Sequence, residues 1–140
     1  MKILTKTIGF LILFLIVGFD TLSAQDIYFD YLPKYRNSNS NYQIDKIEYQ
    51  RKQMIIYFRF VVQKTEKQIF YNSDHLNSWA LRTPSRMKGQ KIQFTQLDIS
   101  NIKVNNDAIL NSLGTLPFYS HALNRGDVVS FKIHFERLHR

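Results

Sequence analysis

Four cations crowd one stretch of this 140-residue chain: Arg82, Arg86, Lys88 and Lys91, with no Asp or Glu from His75 to Leu97. Pro84 and Gly89 mark the stretch as a loop, so these charges are expected to project into water with no sequence neighbour to neutralise them. Such a loop attracts anions, and an anionic envelope component, lipopolysaccharide or an acidic glycan, is the ligand it would take. These four are the candidate binding residues. The plainer alternative is a solvated connection.

Other chemistry is thinner. His134 and Glu136 share a strand face at i,i+2, a spacing that can set two metal ligands side by side. A wet strand face with a solvated histidine satisfies the same pattern, and no metal or other cofactor is expected. Nucleophilic hydrolysis has no Gly-x-Ser-x-Gly to work from, and Gly89, Gly114 and Gly126 lie too far apart to cradle a phosphate. The chain has no cysteine, which excludes a thiol nucleophile, a disulfide scaffold, a cysteine-ligated zinc and a lipid-attached cysteine. No catalytic residue is assigned, and the chain is read as not an enzyme. Trp79, the sole tryptophan, is followed by Ala80 and Leu81 and reads as a core anchor rather than a stacking platform. Tyr28, Phe29, Tyr31, Tyr35, Tyr42 and Tyr49 cluster early, as an amphipathic edge or a first strand; exposed, they would form a partner-binding surface.

The elements that must position these groups have a period of two. Met54, Ile56, Phe58, Phe60 and Val62 fall on one strand face, and Ile55, Tyr57, Arg59 and Val61 on the other. With both faces largely apolar, this reads as a central strand covered on each side, or on one side by the N-terminal segment. Near the C-terminus Val129, Phe131, Ile133 and Phe135 alternate with Ser130, Lys132, His134 and Glu136, one buried and one wet face. Phe131 and Phe135 are expected inside, Lys132 and His134 exposed. Shorter candidates cover 42–49, 68–72, 78–82, 91–96 and 98–104. The piece 107–113 could make one or two helical turns. Six or seven strands at this spacing predict an all-β fold, an antiparallel β-sandwich; the alternative is a small barrel of the oligonucleotide-binding type, which needs about five strands.

Ile44-x-x-Ile47-x-Tyr49, Met54 to Phe60, Trp79-Ala80-Leu81-Arg82 and Phe131 to Leu138 together resemble a family of secreted immunoglobulin-like β-sandwich domains of unknown function from Gram-negative bacteria. The resemblance spans 42–138 and implies an immunoglobulin-like sandwich with no catalytic residues to carry over. It also implies a further closing strand after Leu138. Without one, an unpaired sheet edge is expected beside the last strand, open to a homodimer or a strand from a partner.

The first 24 residues read as a secretory signal peptide: Lys2 and Lys6, an apolar run from Ile8 to Phe19, then Thr21-Leu22-Ser23-Ala24 before Gln25. The formal net charge is +8; losing Lys2, Lys6 and Asp20 with the leader would leave +7. With the leader at 1–24, a polar-linked N-terminal segment occupies 25–41 and the sandwich domain 42–140. The expectation is an exported protein of periplasm, cell surface or medium, acting without catalysis. It would serve as an interaction module or envelope accessory docking on another envelope protein, or as a weak binder of anionic envelope components. A nucleic-acid partner is not expected outside the cytoplasm.

Overall fold

Strong period-two alternation and the scarcity of helical stripes leave the chain with one economical way to bury its aromatic residues, a pair of packed β-layers. The structure, a computed structural model, describes residues 27–35, 41–82 and 93–137. It is all-β and antiparallel, with sheets that do not close into a barrel. The expected leader at 1–24 lies outside the described residues; among those described, no helix is long and apolar enough to cross a membrane.

Among the described residues there are ten strands: β1 (Tyr28–Asp30), β2 (Tyr42–Tyr49), β3 (Gln53–Val61), β4 (Glu66–Tyr71), β5 (Ala80–Arg82), β6 (Gln93–Thr95), β7 (Asp98–Val104), β8 (Asp107–Ser112), β9 (Phe118–Leu123) and β10 (Val128–Glu136). A six-stranded sheet runs in the order β1-β2-β3-β10-β7-β8. Two ribbons, β4–β9 and β5–β6, supply the second layer. Phe70 of β4, Leu123 of β9, Leu81 of β5 and Phe94 of β6 all pack into the core built on the large sheet.

Register explains that core. Ile47, Ile56, Ile133 and Ile99 line up across four strands, as do Ile44, Phe58 and Phe131, and Tyr42, Phe60, Val129 and Val104. Side chains opposite one another share a face, so each row is a continuous apolar bar. Phe131 is at its centre, its ring 5.6 Å from Phe58, 5.3 Å from Phe70 and 6.0 Å from Trp79. Trp79 is half-buried against this cluster, 5.0 Å from Tyr42, as an anchor should be. Buried Gln96 ties the ribbons together: its Oε1 accepts from Trp79 N at 2.9 Å, and its Nε2 donates to the carbonyl of Tyr71. The two passages between layers lie side by side, with Val62 N donating to Asp127 O and Gly126 N to Val62 O.

Three expectations need correction. The piece 107–113 is not helical: Asp107–Ser112 is strand β8, joined to β7 by Asn105-Asn106, with φ of 51° and 72°. Two successive residues at positive φ make the tight hairpin turn whose twist matches its strands, and asparagine tolerates that conformation. The final strand does not border an open edge, since β10 pairs with β3 on one side and β7 on the other. Among the described residues the outer strands of the large sheet are β1 and β8. The strand count exceeds six or seven because β1, β8 and β9 add to the expected set; Phe118–Leu123 carries no clean alternation in FYSHAL to announce it.

Candidate functional site

Of the four basic residues singled out from sequence, only Arg82 is among the described residues. It ends β5, opposite Gln93, and is exposed. Arg86, Lys88 and Lys91 lie outside the described residues. The structure instead brings polar groups together on the second face of the large sheet, where two cross-strand rows form. One contains Phe29, Glu48, Ile55, His134 and Asp98; the next contains Lys46, Tyr57, Lys132 and Ser100.

A chain of hydrogen bonds connects these rows. Gln53 donates its amide to Gln50 Oε1 at 2.6 Å, and Gln50 donates to Glu48 Oε1 at 2.6 Å. Gln53 thereby turns its carbonyl oxygen to His134 Nδ1, 3.2 Å away, which assigns the imidazole proton to Nδ1. Nε2 is left to accept from the Ser100 hydroxyl at 2.7 Å. Tyr57 donates to Glu48 Oε2 at 2.6 Å from the other side. Every donor in the series points toward Glu48, a buried carboxylate at 7% exposure.

The electrostatics follow. Burial acts to raise the Glu48 pKa, but hydrogen bonds from Tyr57 and Gln50, with Lys132 and Lys46 nearby, outweigh it and leave the group below its ordinary value. Burial, then the hydrogen bond and charge of Glu48, push the Tyr57 hydroxyl up to about 12. Burial also lowers His134; Asp98 opposes that, Lys132 reinforces it and Glu48 opposes it. The expected solvated histidine is thus a half-buried, neutral one with both nitrogens occupied. Lys132 is half-buried too, its Nζ over the Tyr57 ring at 4.8 Å from the ring centre.

Chemically, a serine hydroxyl bonded to a neutral imidazole is the first contact of a nucleophile–base pair. Its third member here is the neutral amide of Gln53, which cannot stabilise an imidazolium as a carboxylate does. The arrangement therefore favours a fixed polar ladder. Asp98 is occupied in a different way, accepting from Ile99 N, Gly114 N and the Ser112 hydroxyl.

At the β1 end the face becomes aromatic. Lys46 Nζ lies 4.3 Å from the Tyr57 ring centre, 4.9 Å from Phe29 and 5.7 Å from Tyr31. The Phe29 and Tyr31 rings stack at 5.9 Å. Around them Ile27, Tyr28, Leu32 and Tyr35 are exposed, Leu32 by 89%. The segment is nevertheless fixed: Leu32 N donates to Asp30 Oδ1, and Ile44 N donates to the Tyr35 hydroxyl.

Sequence reasoning picked out the aromatic cluster but not Lys46, Glu48, Gln53 or Ser100. The signal that could have found them was the register of the β2–β3 hairpin, which sets Lys46 beside Tyr57 and Glu48 beside Ile55. Compared with known proteins, the chain matches no family model, no curated protein and no solved structure.

Proposed function

We propose that this chain is an exported, non-catalytic interaction module that docks on another envelope protein through the aromatic margin at β1. The observation that carries the reading is the run of large apolar side chains exposed together there: Ile27, Tyr28, Phe29, Tyr31, Leu32 and Tyr35. Surface hydrophobics scattered singly mean little, but six exposed within the nine residues 27–35, on both faces of one sheet margin, favour an interaction site there. Tyrosine and phenylalanine suit it, since they supply contact area at small conformational cost. Export rests on the leader-like 1–24, and the immunoglobulin-like assignment on the resemblance alone.

A photo-crosslinking residue at Leu32 tests the reading in intact cells. A discrete crosslinked protein is expected, with capture that persists at high salt and is lost in Tyr28→Ser/Tyr31→Ser. Absence of any discrete product, or capture abolished by salt, overturns it.

The second reading, weak binding of an anionic envelope component through Arg82, Arg86, Lys88 and Lys91, draws on exposed Arg82 and the acid-free sequence around it. Its binding to anionic vesicles would fall steeply with salt and vanish when all four become Gln.

A further inference from the structure

Lys46, Tyr57 and Lys132 stand side by side in one cross-strand row on the outer face of the large sheet. Both ammoniums are drawn over the same ring, Lys46 Nζ at 4.3 Å from its centre and Lys132 Nζ at 4.8 Å. Two like charges are thus held around a shared centre, and they repel unless something neutralises them. Other charges of this face have partners within the protein. Arg59 pairs with Asp45 at 2.9 Å, and Asp98 accepts from Ile99 N, Gly114 N and the Ser112 hydroxyl. Lys46 and Lys132 differ. Among the described residues neither has a carboxylate in ion-pair contact or an acceptor for its N–H donors. Glu48 is the carboxylate whose charge both feel, yet its two oxygens accept from Gln50 and Tyr57 rather than from a lysine. Two cations against one carboxylate leave a single positive charge at this point. The face is also open among the described residues, since both ribbons pack against the other side of the sheet.

We propose that Lys46 and Lys132 together bind one singly charged oxyanion over the Tyr57 ring, the phosphodiester of an anionic lipid headgroup. Charge complementarity carries the first half of the proposal: one monoanion balances the single positive charge and supplies both ammoniums with acceptors. Bonds from an ammonium to a phosphate oxygen are short and charge-assisted, and lysine serves phosphate as a point charge. What surrounds the clamp selects the lipid. Lys46 Nζ is also 4.9 Å from the Phe29 ring centre and 5.7 Å from that of Tyr31, and the neighbouring Leu32 is exposed by 89%. A phosphodiester that carries acyl chains brings apolar groups to these side chains, which a free phosphodiester or a sugar acid does not. The site goes beyond the docking of a protein at the β1 margin. Lys132 belongs to β10, three strands from β1, so it can be changed without touching that margin.

The test is a nuclear magnetic resonance titration of the full chain with dihexanoyl phosphatidylglycerol below its micelle concentration. Glycerophosphoglycerol, the same phosphodiester without acyl chains, and glucuronate, a monoanionic carboxylate, are the comparison probes. Saturable shifts are expected at the Tyr57 ring and at the side-chain methylenes of Lys46 and Lys132, with an affinity that falls as salt rises. Glycerophosphoglycerol should bind at the same place several-fold more weakly, and glucuronate more weakly than the lipid. Lys132→Met should cost about ten-fold or more in affinity, whereas Lys132→Arg should keep most of it. Both variants are checked for native melting, and both should leave crosslinking at Leu32 unchanged. Crosslinking lost with the shifts intact would remove the protein-docking reading and leave this site standing. Several results would overturn the site: no saturable shift at Tyr57, undiminished affinity in Lys132→Met, or shifts centred on Arg82 instead. Glucuronate binding as tightly as the lipid would overturn the phosphodiester, and glycerophosphoglycerol binding as tightly would overturn the lipid as its source.

Discussion

The same two strands, β3 and β10, build both faces of the large sheet, and the faces are held together by different physics. On the inner face Met54, Ile56, Phe58 and Phe60 meet Phe135, Ile133, Phe131 and Val129, all 5% exposed or less. Their attraction is non-directional, so any residue of about the right size would hold. On the outer face Tyr57, Gln53 and His134 belong to a one-way series of hydrogen bonds ending on Glu48. There, identity matters at each position, because replacing one donor breaks the sequence of partners. The comparison separates what makes the domain stable from what makes one of its faces specific.

The largest effect should come from the inner face. Phe131→Ala removes a ring packed against Phe58, Phe70 and Trp79, and is expected to cost about 3–5 kcal/mol. Against an ordinary domain stability of about 5–15 kcal/mol this brings the protein close to unfolding. Urea denaturation checks it, with Lys132→Ala as the neighbour on the other face. A Lys132 variant less stable than the Phe131 variant would reverse the assignment of faces.

How legible these faces were in the sequence follows the same division. The inner face could be read from residue type alone: every second residue of β3 and β10 is large and apolar, and the core uses those residues. Trp79 joined it for the same reason. The outer ladder could not be read, because its partners lie up to 81 positions apart, as Gln53 and His134 do. They meet only once register is fixed, and a single-residue slip would move each to the other face. β8 was misread because Ala108, Leu110 and Leu113 mimic a helical side, while the deciding feature was the Asn105-Asn106 turn just before them. The basic loop was legible as composition, but of its four residues the structure places only Arg82.

A smaller effect should come from Glu48, where the outer series ends. Glu48→Gln keeps the shape but removes the charge that accepts from both Tyr57 and Gln50. Hydrogen bonds to charged groups contribute about 1.5–3 kcal/mol each, and glutamine keeps one acceptor oxygen, so a loss of about 1–3 kcal/mol is expected. Tyr57→Phe should lose a comparable amount, and the double variant less than the sum, since both remove one shared contact. Strict additivity would mean that the short Tyr57–Glu48 bond contributes nothing.

Proton linkage sharpens the contrast, because the acid-titrating groups with shifted proton affinity in this sheet, Glu48 and His134, lie on the outer face, while the inner face adds only Tyr42, whose hydroxyl burial pushes up. Glu48 and His134 both bind protons less readily when folded, so acid favours the unfolded chain. The His134 contribution is complete above its ordinary value of 6.5 and is lost as pH falls below that toward the folded value. The Glu48 contribution is complete above its ordinary 4.5 and declines beneath it. Tyr57 acts in the opposite direction: stability present below its ordinary 10.0 is lost as pH climbs to about 12. Melting temperature against pH should therefore fall at both ends. His134→Gln should flatten the step just below pH 6.5, and Tyr57→Phe should remove Tyr57's share of the alkaline fall. Unchanged acid profiles in His134→Gln would show that the imidazole is solvated after all.

The smallest thermodynamic effect belongs to Lys46, and it bears most on function. Its ammonium lies over Tyr57, Phe29 and Tyr31, and so joins a strand of the sheet proper to the margin strand β1. Partly exposed cation–π contacts contribute about 0.5–1 kcal/mol, so Lys46→Met, which keeps the length of the stem, should barely move global melting. Its effect should be local. β1 pairs with β2 over only three residues and contributes no residue to the buried core, so this contact is a large share of what holds it. Amide exchange at Tyr28, Phe29 and Asp30 is therefore expected to quicken several-fold in Lys46→Met, while exchange in β3 and β10 stays at the wild-type rate. If the aromatic margin docks as an ordered surface, the same substitution should weaken partner capture at Leu32 without unfolding the domain, because ordering β1 would then have to be supplied by binding. Uniform exchange changes across all strands would mean that Lys46 supports the sheet as a whole. Unchanged exchange in β1 would mean that its strand pairing alone holds the margin in place.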